Sequence, residues 1–172
     1  MPVLRLLLLL GLMPLFSGCI PQGLPEQRTM PPKVAGWSQE IHRQLNAFRE
    51  EKGLPPLARH DGLEQLALDH CEWLVDKRGT SFIHGSNVSH SGQHYRSRVA
   101  RIEHGMEAWG ENVGYIGHTP DDPARRLILL WQNSPSHRKA MLGNWTHAAT
   151  GIRVDEDGAI FATMNFGRTK TE

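Results

Sequence analysis

The chain is poor in cysteine, in charge of one sign and in long apolar runs, and each shortage excludes something. Its 172 residues hold two cysteines, Cys19 and Cys71, and Cys19 stands directly after an apolar leader. If Cys19 is modified there, Cys71 is the last thiol, no internal disulfide can form, and stability must come from packing. Cys71 reads as a small buried hydrophobe. Lys and Arg number 19 against 18 Asp and Glu, and Arg5 lies in the leader, so the mature chain is near neutral. Neither nucleic acid nor an acidic surface is expected as a partner. The apolar run Leu6–Phe16 is eleven residues, whereas a membrane-spanning helix needs about 20. It is too short to span.

What stands at the N-terminus is a short basic start, Met1 to Arg5, then that apolar run, then Ser17, Gly18 and Cys19. Small residues after an apolar core read as a secretory signal and its cleavage point. A cysteine directly after Ser-Gly resembles the lipobox of bacterial lipoproteins, where that cysteine is acylated and becomes the mature N-terminus. Phe16 departs from the leucine usual three places before it. The resemblance implies a signal peptide over 1–18, lipidation at Cys19, and the membrane as partner through an N-terminal lipid anchor. It places the protein facing the periplasm or cell exterior; Ile20, where Asp is absent, goes with the outer membrane. A plain secretory signal with a free Cys19 is the alternative.

Residues 19–36 hold four prolines and few large apolar residues, and read as a tether. A single domain is expected over 37–167, followed by a polar tail over 168–172. Ser38 is placed to cap a first helix whose apolar face is Ile41, Leu45 and Phe48. Gly53 suits its C-terminal cap, and Pro55 and Pro56 prevent continuation. Asp61 with Glu64 reads as a capping box, opening a second helix with Leu63, Leu66, Ala67, His70 and Leu74 inward. Residues 79–106 look irregular, with one turn of helix around Arg96 to Ile102, and "NVGYIG" is a short strand. A third helix runs from about Asp122 to Asn133, with Leu127, Leu130 and Trp131 inward. "SPSHRKAML" restarts a short helix with Ser134 as cap and Pro135 in the first position. "TGIRV" and "AIFATMNFG" flank the turn "DEDG" as a hairpin, with Ile160, Ala162, Met164 and Phe166 on one face. Helices early and paired strands late imply an α+β fold.

Ten histidines are many. His42, His60, His104, His118 and His147 fall on polar faces or loops and read as surface, and His70 reads as a hydrogen-bonded core residue. His84, His90 and His94 share the irregular segment, where nothing local separates them. His137 stands in the first turn of a short helix, where the dipole disfavours the imidazolium and keeps the ring neutral. Glu111, between Gly110 and Asn112, is either a solvent-facing turn residue or a carboxylate aimed into a cavity.

"SHSG" at 89–92, "WGENVGYI" at 109–116, "LWQNSPSHRKAML" at 130–142 and "TGIRV…FATMNFG" within 150–167 resemble the CAP superfamily in order and spacing. "LNAFREEKGLPPL" and "LEQLALDHCEWL" look like its first two helices, so the likeness covers 39–167. It is similar to the bacterial branch, which lacks the eukaryotic disulfides. The resemblance implies a three-layer α-β-α sandwich with a central antiparallel sheet. It also implies a cleft lined by two histidines and two acids, carried here by His90, Glu111 and His137. The second acid would fall near Ser134, where there is no carboxylate. His84 or His94 are alternatives to His90.

Two histidines and a carboxylate suit a weakly held divalent ion such as zinc, with water completing the shell; no cofactor is required. The same groups suit general acid–base hydrolysis. Ser134 and His137 make a poor nucleophile–base dyad, because a capping serine turns its oxygen to the helix backbone. The preferred expectation is a non-enzymatic extracytoplasmic module binding a small ligand, lipid or protein partner. An envelope hydrolase and a structural envelope protein are the alternatives.

Overall fold

The computed structural model describes residues 27–78 and 89–170. The expected signal peptide over 1–18, Cys19 and His84 lie outside the described residues. The element order is α1 Pro32–Glu51, α2 Asp61–Asp76, α3 Gln93–Ile102, β1 Met106–Ile116, α4 Pro123–Asn133, α5 Pro135–Met141, β2 His147–Val154 and β3 Ile160–Thr169. No helix among the described residues is long and apolar enough to cross a membrane.

Helix α1 starts earlier than the sequence reading placed it, and takes in five residues assigned to the tether. Pro32 occupies an opening position, where its missing N–H costs nothing and its fixed φ suits a helix. Ser38 is therefore interior and buried, and its hydroxyl donates to the Thr150 carbonyl at 2.7 Å instead of capping. The chain just before is also held: Arg28 pairs with Asp69 and Glu72. At the other end Gly53 N–H donates to Glu50 O and Leu54 N–H to Arg49 O, a Schellman closure with Gly53 at φ +70°. The buried stripe is Val34, Ser38, Ile41, Leu45 and Arg49. Arg49 is satisfied by the carbonyls of Pro55, Met141 and Gly143, which ties α1 to the end of α5.

The expected capping box of α2 is replaced. His60 is the cap, its Nδ1 accepting from Leu63 N–H at 3.4 Å, while Asp61 is the first helical residue and Glu64 pairs with Arg59. Residue 60 has the extended backbone a cap requires, which leaves Asp61 to complement the helix dipole.

The sheet is antiparallel with order β1-β3-β2. Helices α2 and α3 pack on one face; α1, α4 and α5 cover the other. This is the three-layer α+β sandwich. Central β3 is covered on both sides, so its sequence is nearly free of charge from Ile160 to Phe166. Ile160, Ala162, Met164 and Phe166 join the α1/α4 core, while Phe161 packs towards α2. β3 runs on to Thr169, so Arg168 and Thr169 belong to the sheet and not to a tail. β1 begins at Met106, well before "NVGYIG", with a register irregularity between Met106 and Ala108.

Candidate functional site

Period-2 alternation sends Glu111 and Asn112, adjacent on the outer strand β1, to opposite faces of the sheet. Glu111 turns to α2 and α3. Its side chain is 2% exposed and holds three partners. Arg96 of α3 grips it in two-pronged fashion, Nε to Oε2 at 2.7 Å and Nη2 to Oε1 at 2.8 Å. His90 Nδ1 lies 2.9 Å from Oε1. His70 Nδ1, from α2, is 3.6 Å from Oε2 and 3.1 Å from Thr163 Oγ1. The segment carrying His90 enters α3 through Gly92 at φ +75°; this left-handed turn lets Arg96 Nη1 reach back to the Ser91 carbonyl at 2.7 Å.

The electrostatics follow from burial. Desolvation alone would raise the Glu111 carboxyl, but the hydrogen bonds from His90 and Arg96 and the charges nearby outweigh it and hold it below the usual range. Burial drives His70 down to about 4, with Glu111 opposing and Arg96 and His90 adding to the fall. His70 thus sits beside a carboxylate as a neutral ring, despite ion-pair geometry.

Asn112 turns the other way. Its Nδ2 donates to the His137 carbonyl at 3.1 Å, so the strand pins the backbone of α5. The His137 ring makes no hydrogen bond to Glu111; its Nδ1 is buried without a partner among the described residues, as is Asn112 Oδ1. Burial first, then the nearby charge of His90, lowers the His137 pKa. The ring stays neutral, as the sequence predicts, but for these reasons more than for a dipole. Ser134 occupies the cap position of α5 with no side-chain cap bond; its Oγ meets Ser136 Oγ at 3.2 Å. It neither caps through its oxygen nor engages His137.

His90, and not His94, is the histidine on Glu111; His94 lies exposed on α3. Sequence reasoning missed Arg96 altogether, and took His70 for core alone. His70 is core, yet it also abuts the carboxylate. The signal available was its place on the inward face of α2; Arg96 left none.

The residues do not fit a divalent ion. Among the described residues no three His, Cys, Asp or Glu side chains converge as a metal site. Glu111, the one carboxylate of the expected set, is already neutralised by a guanidinium that would repel a cation. A surface depression of about 620 Å3 runs along α1 past His42, Asn46 and Leu54, away from this chemistry.

Solved structures share the fold. An outer surface protein from Borrelia burgdorferi superposes with TM-score 0.63 at 17% identity, covering 80% of this chain and 96% of that one. An extracellular protein containing an SCP domain from Bacillus anthracis gives 0.59 at 24% identity, covering 83% and 45%. A cysteine-rich secretory protein from Staphylococcus aureus gives 0.58 at 17%, covering 82% and 42%. The chain thus spans less than half the length of the last two. No curated protein matches it significantly. The family model described as "CAP: Cysteine-rich secretory protein family" matches residues 42–166, most of the sequence, with every element from α2 to β2 and most of β3, and the chain belongs to that family.

Proposed function

We propose that the protein is an extracytoplasmic binding module, held to a membrane through a lipid on Cys19, that takes a small ligand, lipid or protein partner where β1 meets His90 and His137. The observation that carries the non-enzymatic reading is the state of Glu111. A general base works best with a pKa near the operating pH, and here the only carboxylate of the cleft among the described residues is buried, ionised and fully occupied by Arg96 and His90. Such a group positions its neighbours. The related outer surface and extracellular proteins support the location, and the short leader ending at Cys19 supports the anchor.

A second reading rests on one contact. His90 Nδ1 at 2.9 Å from Glu111 is the histidine–carboxylate half of a hydrolytic site, and it would need water as the nucleophile.

Incubating residues 20–172 and the His90→Ala variant with envelope lipid and peptidoglycan extracts, followed by mass spectrometry, separates the readings. Molecules retained unchanged by the wild type and lost by the variant are expected. Products formed only by the wild type would favour hydrolysis, and neither result would leave a structural role. Cys19→Ala should move the full chain out of the membrane fraction or leave an uncleaved precursor; unaltered fractionation would remove the anchor.

A further inference from the structure

We propose that the outward face of α3 docks the protein onto an anionic lipid surface. Arg96 and Ala100 form the inward side of this helix. At 3.6 residues per turn, His94, Tyr95, Arg98, Arg101 and Ile102 fall within one arc of about 120°. All five are exposed. Tyr95 is 70% exposed and Ile102 69%, and Arg98 stands between them on the same side.

Folding accounts for neither the apolar nor the charged part of this face. An apolar side chain left in water contributes nothing to the core. Arg28, Arg43, Arg59, Arg78 and Arg153 each pair with an acid, and Arg96 with Glu111. Arg98 and Arg101 hold no ion pair or side-chain hydrogen bond among the described residues. No acid stands between Ser89 and Ile102, and the first, Glu103, lies past the helix. On α2 alongside, Asp69 and Glu72 are taken up by Arg28. The face is therefore apolar and positive.

The path of the chain brings this layer towards lipid. Arg28 ties the segment entering α1 to α2, and Asp69 lines one surface depression together with Tyr95. Arg28 stands nine positions after Cys19, and nine residues span about 30 Å at most. A lipid on Cys19 keeps the α2/α3 layer within that reach of the bilayer, an orientation that rests on the anchored reading above.

The side chains suit headgroups. Tyrosine sits at the membrane–water boundary with its ring inward and its hydroxyl wet, Ile102 adds apolar area, and guanidinium forks match phosphate oxygens. Binding of this kind grows with buried apolar area and with attraction to anionic lipid. The patch is small, but a weak contact suffices in a molecule already tethered to the surface.

Vesicles of phosphatidylglycerol mixed with phosphatidylcholine are the probe, with pure phosphatidylcholine for comparison. Residues 20–172, which keep every element from α1 to β3 and carry no lipid, are sedimented with each at low salt. Binding to the anionic vesicles should be at least tenfold stronger than to the neutral ones. Arg98→Gln with Arg101→Gln should weaken it at least tenfold, and Tyr95→Ser with Ile102→Ser several-fold. Arg125→Gln with Arg126→Gln removes the same charge from exposed positions of α4, in the opposite layer, and should leave binding unchanged. Circular dichroism confirms that each variant is folded. Equal binding to both vesicles, including none to either, overturns the proposal, and so does equal loss from the α3 and α4 pairs or full binding without the α3 arginines. The protein assayed has no lipid, so failure of the Cys19 anchor in cells leaves these outcomes unchanged and the two readings fail separately.

Discussion

The two faces of β1 solve opposite problems with adjacent residues. On the α2/α3 side the strand buries a full charge, Glu111, and every neighbour is arranged to match it. On the α4/α5 side it buries mainly shape: Gly114 lets Leu127 and Trp131 press against the strand, where a Cβ would meet them at 3.1–3.2 Å. Trp131 Nε1 donates to the Val113 carbonyl at 3.2 Å. The charged face gains specificity of position, because a two-pronged Arg–carboxylate pair tolerates little displacement. The packed face gains stability from area. A candidate site at the edge strand draws on both, since His90 belongs to the first face and His137 to the second.

The largest expected effect is on the packed face. Trp131 is wholly buried, with Leu127 beside it and Leu130 partly buried against the same core. Trp131→Ala should cost about 3–5 kcal/mol and remove the bond to Val113. Chemical denaturation checks this; a variant unfolding at the wild-type midpoint would mean that the face is not held by shape.

The charged face should behave differently, and a paired substitution exposes the contrast. Arg96→Met alone leaves Glu111 buried beside a neutral His70, at a cost of roughly 3–5 kcal/mol. Adding Glu111→Gln removes the stranded charge and should restore a substantial part of the loss, because an ion pair replaced as a whole costs far less than one cut in half. A deletion on the packed face has no such partner to remove. If the double variant is less stable than Arg96→Met, the pair is not the organising element of this face.

How much of this was legible in the sequence differs by face as well. The packed face was readable, because Ile160, Ala162, Met164 and Phe166 alternate and Leu127 with Trp131 recur at helical spacing; such patterns are local. The start of α1 was misread because Pro31-Pro32 resembles a linker by composition, while a proline in the first turn is compatible with a helix. Ser38 resembled a cap by type, and its true partner, Thr150, lies on another element. The charged face was half legible. Glu111 and His90 came through the family resemblance, but Arg96 sits among arginines that look alike. His70 had already been explained as core, and burial in a core does not forbid contact with a carboxylate.

The smallest expected effect is acid sensitivity, and it belongs to the charged face. His70 falls from an ordinary 6.5 to about 4 on burial, so the unfolded chain takes up the proton more readily than the folded one. Its contribution to stability is complete above about pH 6.5 and is lost as the pH falls towards about 4. By pH 5 that is on the order of 2 kcal/mol from this residue. The lowered pKa of Glu111 acts with the same sign at lower pH: its stabilisation is present above the ordinary carboxyl value and lost as the pH falls through the folded one. Burial also depresses His42, His104, His137 and His147, so the whole molecule should weaken on acidification. His70→Gln isolates one share, since glutamine can still bond Thr163 but does not titrate. Between pH 7.5 and 5 the wild type should lose several degrees more in Tm than the variant. Parallel melting curves would mean that His70 takes up its proton without penalty, and that the charged face is more open to water than its geometry implies.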